Sequence, residues 1–424
     1  MRHAGVHIYR GNIVFTPTPQ DFVALARGYV VVDGAGVITE CLADLPDRYC
    51  TVPVIDHGDR LVLPGFTDAH LHASQLPITG LQCNTELIDW LHTLALPQEA
   101  ALVDAAYADA VYTRFAEDLL RNGITGSIVM GTIHAESTAI LVDKLIAAGL
   151  RSCVAKVSRD QNAPADACQD TAREIADVRH FLTQTLARSP LVTPAVGPST
   201  AMVCTRKLMK GLAQQAAEFD IPCHTHLAEN RAEVESTLQQ HPDCVDFLDT
   251  YQRAGLLGTA NAVVAHAIHL NDREKRAIRN TGMLVAHCPH SNLNLLSGVM
   301  PLAEYHDMGI RVGLGSDLSA GHALNMFANM VGAIQSGAMS YLTGRASRPV
   351  PPAEAFYCAT KGGGSFFGKT GSFEPGYAFD ALVVDDSMWT RHQPMTLPQR
   401  VEKLIYCGDD RNIDHVYVDG RRLR

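Results

Sequence analysis

The sequence predicts an α/β protein whose main body is a (β/α)8 TIM barrel, with a small β-sandwich formed from both chain ends. Eight apolar runs of strand length, separated mostly by helical patterns, extend over about 300 residues, as is typical of a parallel barrel. Several of these runs end in polar residues, and the C-terminal ends of the strands form the active face of such a barrel. The two chain ends instead carry alternating apolar segments, which favour antiparallel strands.

The apolar runs give the expected order of the barrel strands. The run Leu61–Leu63 leads into a segment that ends at His72, and we interpret the two as one buried strand. The other seven runs cover residues 126–130, 153–157, 191–194, 221–226, 262–266, 284–287 and 311–316. Helical patterns between them include Leu102 to Asn122, Ser137 to Ala148 and Cys204 to Phe219.

The chain ends predict the second part of the fold. Near the N-terminus, Val6–Arg10 and Tyr29–Asp33 alternate in polarity, and the turn residues 33–36 follow the second of them. Near the C-terminus, Ala381–Asp385 and His415–Arg421 have the same character. We therefore expect residues 1–63 and 373–424 to form the sandwich and residues 64–372 to form the barrel.

Composition narrows the class of protein. The formal charge of −10 argues against nucleic acid as a partner, because phosphate contacts need clustered Lys and Arg. No apolar run approaches the roughly 20 residues of a membrane span, and the N-terminal residues lack the apolar region of a signal peptide. The eleven cysteines are scattered without a Cys-x-x-Cys pair. We therefore expect a cytoplasmic protein with reduced thiols and a small-molecule substrate.

The polar residues at the strand ends predict a metal site. Side chains two apart on a strand point the same way, so His70 and His72 project into one space. His226, His266 and Asp317 end three later runs. Three imidazoles (His70, His72 and His226) with the Asp317 carboxylate suit one Zn2+ or Fe2+ ion and leave a position open for water. No lysine ends the run at 191–194, which disfavours a carbamate bridging two ions.

Such an ion would generate hydroxide at neutral pH, since it lowers the pKa of bound water toward about 7. Glu229, three residues beyond His226, is placed to overhang the pocket as a proton carrier, and His266 to hydrogen-bond the hydroxide. Other interpretations stay open at this point. Glu229 suits the first turn of a helix, Asp317 suits a helix N-cap, and His224 has the same inward parity as His226.

With these residues identified, the chain resembles the amidohydrolase superfamily and, within it, the guanine deaminases. The superfamily pattern comprises Pro64–His72, His226, His266 and Asp317. More specific to guanine deaminases is Gln75, followed by a helix containing Trp90 and then Leu96-Pro97. Further matching segments are 225–230, 287–292, 314–317 with Gly321, 364–368 and 408–413, so that the resemblance extends from about residue 60 to 424.

The resemblance implies a barrel of the metal-dependent hydrolase type with one zinc ion on His70, His72, His226 and Asp317. It further implies Glu229 as the proton shuttle, His266 as a transition-state contact, Asp317 as acceptor of the hydroxide proton, and Gln75 and Trp90 as substrate-binding residues. The implied reaction is hydrolytic deamination of guanine to xanthine and ammonia by metal-bound hydroxide. Family members are commonly homodimers.

One segment departs from that pattern. Guanine deaminases usually have Thr-Pro-Arg-Phe after the fourth strand, where the arginine meets the polar edge of the purine and the phenylalanine stacks on it. Here Thr193-Pro194 is followed by Ala195 and Val196, which we expect to take these two places in the substrate-binding site. Losing a charge-assisted contact costs on the order of 2 kcal/mol, so another donor is needed. Arg159, at the end of the third strand, is a candidate because it offers a charge, and Ser199 and Thr200 offer hydroxyls.

Two alternatives follow from this departure and from the metal site. The substrate could be another amino-substituted ring, such as a pterin, a modified purine or a triazine. The barrel could also be a non-catalytic scaffold or partner-binding protein that keeps a structural metal. Glu229 argues against the scaffold, because a structural site needs no overhanging carboxylate.

Overall fold

The computed structural model describes residues 5–424. The strands are β1 (His7–Phe15), β2 (Val23–Val32), β3 (Ile38–Leu42), β4 (Val54–Pro64), β5 (Phe66–His72), β6 (Ile124–Met130), β7 (Arg151–Ser158), β8 (Val192–Pro198), β9 (Cys223–Leu227), β10 (Ala262–His266), β11 (Leu284–His287), β12 (Arg311–Leu314), β13 (Ala381–Val384), β14 (Ile413–Val418) and β15 (Arg421–Arg422).

The α-helices are α1 (Leu87–Trp90), α2 (Leu96–Ala101), α3 (Ala105–Arg121), α4 (Ala135–Ala148), α5 (Thr171–Thr185), α6 (Arg206–Phe219), α7 (Arg231–Gln240), α8 (Phe247–Ala254), α9 (Asp272–Thr281), α10 (Pro289–Asn294), α11 (Leu302–Asp307), α12 (Met326–Leu342), α13 (Pro352–Tyr357), α14 (Ser387–Thr390) and α15 (Leu397–Cys407). Within residues 5–424, no helix is both long and apolar enough to cross a membrane.

Strands β5 to β12 form a parallel eight-stranded sheet in chain order. The sheet closes where the backbone N–H of Asp317 donates to the carbonyl of His70 at 2.8 Å and the N–H of His72 donates to the carbonyl of Leu318 at 2.9 Å. Helices lie between the strands along the chain, as in a (β/α)8 barrel. The predicted fold class is therefore confirmed.

The two chain ends form a second sheet, of seven strands in the order β15-β14-β13-β4-β1-β2-β3. Strand β4 joins the two ends, since it lies parallel to β1 on one side and antiparallel to β13 on the other. The apolar run Leu61–Leu63 belongs to this sheet, where Val62 pairs with Val383. Our interpretation of that run as the start of the first barrel strand was therefore wrong: Gly65 separates β4 from β5, and the barrel strand begins at Phe66.

The core lies mainly between the barrel strands and the helices around them. All seven residues of β6 are buried, as expected for a strand covered on both faces. A separate apolar cluster inside the barrel includes Ala69, Ile128, Ala155 and Ala195. These buried side chains fill the barrel interior, as is usual for a (β/α)8 barrel.

Candidate active site

Four side chains predicted as metal ligands meet at the C-terminal end of the barrel. His70 and His72 end β5, His226 lies in β9, and Asp317 follows β12. The Nε2 atoms of His70 and His72 lie 3.2 and 3.5 Å from Oδ1 of Asp317. The Nε2 atoms of His72 and His226 are 3.2 Å apart. The cluster is enclosed, because His70 is fully buried and Asp317 is only 4% exposed.

Two of the imidazoles are oriented by partners behind them. Nδ1 of His70 lies 2.7 Å from Nε2 of His224, and Nδ1 of His226 donates to the carbonyl of Ser199 at 2.6 Å. Each contact occupies Nδ1 and leaves Nε2 directed toward the cluster, as the outer partners of metal-binding histidines do. His224 therefore lies behind the cluster. Its side chain points inward as its position in the strand indicates, but there it contacts His70.

The charge states suit cation binding. Burial lowers the pKa of His70, His72 and His226, so each ring is neutral with a lone pair available. Burial raises the pKa of Asp317, but the neighbouring His70 and His266 outweigh that effect and hold it well below its ordinary value. The result is a buried carboxylate beside the three neutral imidazoles of His70, His72 and His226.

The donor atoms are close enough for a single ion. The ligand atoms of His70, His72 and His226 lie within 4.8 Å of one another, and so do those of His70, His266 and Asp317. Nε2 of His70 is buried and accepts or donates no hydrogen bond within residues 5–424. A buried nitrogen lone pair without a partner, next to a carboxylate, fits a divalent cation.

His266 lies beside the cluster rather than behind it. Its Nδ1 donates to Oδ1 of Asn292 at 2.9 Å, and its Nε2 lies 3.4 Å from Oε2 of Glu229 and 3.7 Å from Oδ2 of Asp317. Burial lowers the pKa of His266, but the two carboxyl groups raise it above its ordinary value. His266 can therefore carry a proton between two carboxyl groups.

Glu229 is positioned by the turn that connects β9 to α7. Asn230 caps α7, whose first residue is Arg231, so Glu229 precedes the helix and does not belong to its first turn. The carboxylate of Glu233 accepts from the backbone N–H of Glu229 at 3.0 Å, and Ser297 Oγ donates to Oε1 of Glu229 at 3.2 Å. Burial raises the pKa of Glu229 to about 7, which suits a group that exchanges protons at neutral pH.

The cluster opens into a cavity at the C-terminal end of the barrel strands. Among the predicted substrate-binding residues, Gln75, Trp90 and Arg159 line this cavity. The wall combines an apolar cluster, which includes Trp90, with polar and charged groups, and this combination suits a flat heterocycle. The remaining lining residues are His72, Leu87, Leu91, Glu99, Ser199, Thr200, Met202, His226, Glu229, Glu233, Leu295, Asp317 and Ala320.

The structure does not bring Ala195 and Val196 to the cavity. Strand β8 continues to Pro198, so both residues lie inside the strand and are fully buried. Ala195 faces the apolar interior of the barrel, and Val196 packs toward the surrounding helices. The cavity wall after β8 is made instead by Ser199, Thr200 and Met202.

Two acidic residues of the cavity were not predicted. Glu99 lies in α2, and Glu233 is the third residue of α7. The Asn-x-x-Glu spacing from Asn230 to Glu233 is the pattern of a capping box, so the sequence could have predicted that Glu233 lies in the first turn of a helix next to Glu229. Glu99 carries no such local signal, because its partners lie 24 and 60 residues away in the chain.

The fold and the site together define the class of metal-dependent (β/α)8 hydrolases: a buried His/Asp cluster lies at the strand ends, beside a carboxyl group that titrates near neutrality. The model of the Amidohydrolase family matches residues 61–423. The chain therefore belongs to the amidohydrolase family, and it is a hydrolase that acts on C–N bonds.

Relatives within the family are guanine deaminases. The chain is 32% identical to a probable guanine deaminase of Schizosaccharomyces pombe over 98% of this chain and 82% of that protein. It is 30% identical to the guanine deaminase of Homo sapiens, over 98% and 96% of the two chains. A crystal structure of guanine deaminase from C. acetobutylicum with bound guanine superposes with a TM-score of 0.95 at 37% identity, covering 98% of this chain and 99% of that one.

Proposed function

We propose that the protein is a zinc enzyme that converts guanine to xanthine and ammonia by hydrolytic deamination. The observation that carries the proposal is the position of Glu229. This carboxyl group lies in the wall of the cavity, three residues beyond His226, and its pKa is raised to about 7. The relation to a guanine deaminase that binds guanine in its active site supports the substrate.

His70, His72, His226 and Asp317 are the residues that would hold the metal. Their three neutral nitrogens and one carboxylate suit Zn2+, with Fe2+ as the second choice. When bound, the ion supplies the nucleophile, because it lowers the pKa of water and acts as a Lewis acid. His224 and the Ser199 carbonyl hold two of the imidazoles in the orientation that this role needs.

Proton transfer falls to Glu229, Asp317 and His266. Asp317 accepts the proton that the attacking water loses, since its carboxylate lies between His70 and His266. Glu229 gives its proton to a ring nitrogen and is then reprotonated from Asp317 through His266. It delivers this second proton to the departing ammonia, for which a pKa of about 7 is suited. His266, 3.4 Å from Glu229, contacts the reacting centre and stabilises its negative charge.

The ring is held between an apolar and a polar wall. Leu87, Trp90 and Leu295 offer apolar surface to its faces, whereas Gln75 and Arg159 face its polar edge. Arg159 is 4% exposed, so a hydrogen bond from its guanidinium is little weakened by water. We assign to Arg159 the contact with the polar edge of the purine that guanine deaminases usually make with the arginine of the Thr-Pro-Arg-Phe segment.

A second candidate is deamination of another amino-substituted ring: a pterin, a modified purine or a triazine. The observation that favours it is the wall after β8, where Ser199, Thr200 and Met202 supply neither an aromatic face nor a guanidinium. A non-catalytic scaffold with a structural metal is disfavoured, because a structural metal site does not need the buried carboxyl group of Glu229 in the cavity beside it.

We further propose that the enzyme works as a cytoplasmic homodimer. All eleven cysteines have free thiols, which supports a reducing compartment. The dimer is implied by the family resemblance alone. Light scattering of the purified protein would measure the mass of the assembly directly.

The substrate is tested by ammonia release from guanine, compared with aminopurines, a pterin and a triazine. We expect the highest kcat/KM for guanine, with xanthine as product and about one equivalent of zinc by elemental analysis. Ammonia release from another ring, with none from guanine, would overturn the substrate and leave the deamination chemistry in place. A protein that releases ammonia from none of the panel would refute the enzymatic proposal.

A further inference from the structure

One buried carboxylate in the cavity wall has a role that the proposed reaction does not use. Glu99 in α2 is 1% exposed and faces the cavity. Its Oε1 accepts from Nε2 of Gln75 at 3.1 Å, and its Oε2 accepts from Nη2 of Arg159 at 2.5 Å. Gln75 and Arg159 are 3% and 4% exposed. The three side chains thus form one enclosed network, with Glu99 at its centre.

The chemistry of Glu99 decides which way the Gln75 amide points. An ionised carboxylate only accepts hydrogen bonds, so Gln75 must present its NH2 group to Glu99. The amide oxygen then faces away from Glu99. This Oε1 is buried and has no hydrogen-bond partner within residues 5–424, although Gln75 lines the cavity. A buried acceptor without a partner beside a cavity is available for an N–H group of a ligand.

Arg159 provides the complementary donors. Within residues 5–424, its guanidinium donates through Nη2 to Glu99 and through Nη1 to the carbonyl of Ala167 at 3.4 Å. Since the group has five N–H bonds, donors remain for a ligand. Glu99 also neutralises the charge of Arg159, so the pair adds no net charge to this wall. The wall therefore offers one acceptor and one donor group to a neutral ring.

We propose that Glu99 is a positioning residue that fixes the orientation of the Gln75 amide and of the Arg159 guanidinium. Through them, it makes the wall selective for a ring that presents an N–H beside a carbonyl. This inference rests on the proposed function, since it specifies which edge of the substrate ring is recognised. Glu99 itself contacts no reacting atom.

The test compares the binding of two rings that cannot be deaminated. Hypoxanthine presents an N–H beside a carbonyl, whereas purine has neither group on that edge. Calorimetry with the metal-loaded protein should give a dissociation constant for hypoxanthine about tenfold or more below that for purine. In Glu99→Gln, where a neutral amide permits either orientation of Gln75, this preference should fall to within about threefold, with little change for purine.

Two further variants control the comparison. Glu117→Gln makes the same chemical change at an exposed position of α3 and should keep the wild-type preference. Glu99→Asp retains the charge but withdraws the acceptor from Gln75, and it should lose the preference as well. It replaces Glu99→Gln if circular dichroism shows that variant to be unfolded.

The outcomes separate the two proposals. A wild-type protein without preference for hypoxanthine, or a folded Glu99 variant that keeps the full preference, would overturn the role of Glu99. A parallel loss of affinity for both rings would also overturn it, because that result indicates a purely structural residue. Absence of ammonia release from guanine would count against the proposed function alone, because the binding comparison involves no turnover.

Discussion

At the scale of single residues, the candidate active site contains three buried titratable side chains that contact one another in a row. Glu229, His266 and Asp317 are each at most 4% exposed. His266 lies between the two carboxyl groups, with its Nε2 3.4 Å from Glu229 and 3.7 Å from Asp317. Each group changes the proton affinity of the next one. Proton-transfer roles can therefore be tested by changing one group while keeping its shape.

Glu229→Gln should keep the fold and the metal content while lowering kcat by at least about 10²–10⁴-fold, the range for loss of a general acid–base group. Glutamine fills the same space but cannot exchange a proton. Steady-state ammonia release measures the effect, with elemental analysis of the same sample. Glu235→Gln, an exposed residue of α7, is the matched control. Turnover close to wild type in Glu229→Gln would remove Glu229 from the mechanism.

His226→Ala should weaken zinc binding by more than about 100-fold. Removing a residue that only orients a metal ligand typically weakens binding by about 10–100-fold, and removing the ligand itself should cost more. The ring of His226 is partly buried, and its Nε2 lies 3.2 Å from that of His72. Competition with a chelator of known affinity measures the change. His180→Ala, an exposed histidine of α5, should leave the zinc affinity unaltered. One full equivalent of zinc at wild-type affinity in His226→Ala would contradict the ligand assignment.

At the scale of elements, helices α11 and α13 are joined by a buried carboxylate. Oε1 of Glu354 lies 2.6 Å from Nδ1 of His306, and Oε2 accepts from Nη1 of Arg348 at 2.6 Å. Burial raises the pKa of Glu354, but these two hydrogen bonds outweigh burial and lower it below its ordinary value of 4.5. The folded state therefore favours the ionised form.

This shift predicts how stability depends on pH. Because the pKa of Glu354 is depressed on folding, its contribution is present above about pH 4.5 and is lost as the pH falls through the lower folded value. Glu354→Gln should cost about 1.5–3 kcal/mol at pH 7 and less at pH 3. Urea unfolding at both pH values measures the difference. If Glu354→Gln lowered the free energy of unfolding equally at pH 7 and pH 3, the folded state would not favour the ionised form of Glu354.

The elements also show how far sequence reasoning reaches. Strands β10 and β11 have the predicted bounds, since each is a short apolar run that ends in a histidine. Leu61–Leu63 was assigned to the wrong sheet, because a buried apolar run looks the same in either sheet. Ala195 and Val196 were placed at a strand end because the bounds of β8 depend on pairing with β7, which reaches Pro198. The Glu99 network joins residues distant in sequence, and no local pattern predicts it.

At the scale of the whole molecule, the proposed metal site joins the first and last barrel strands. His70 and His72 belong to β5, and Asp317 follows β12. An ion held by both ends of the barrel sheet would bind the folded chain and not the unfolded one. Its binding energy then adds to the free energy of unfolding.

Removal of the metal should therefore destabilise the entire barrel. At free zinc 100 times the dissociation constant, the metal should add about 2.7 kcal/mol to the free energy of unfolding. The chelated protein should unfold at a lower temperature in calorimetry, and readdition of zinc should restore the transition. Magnesium at the same concentration is the control, since it prefers oxygen ligands. Equal transition temperatures with and without zinc would contradict this coupling.

The sheet built from both chain ends has a consequence for synthesis on the ribosome. The β4 segment Leu61–Pro64 is made more than 300 residues before β13 (Ala381–Val384), its antiparallel partner. Throughout translation of the barrel, the nascent chain carries β4 with one row of backbone N–H and C=O groups unpaired. An open strand edge of this kind attracts other chains. The growing polypeptide is therefore exposed to aggregation at this edge until β13 emerges, and a chaperone that covers β4 would protect it during that interval.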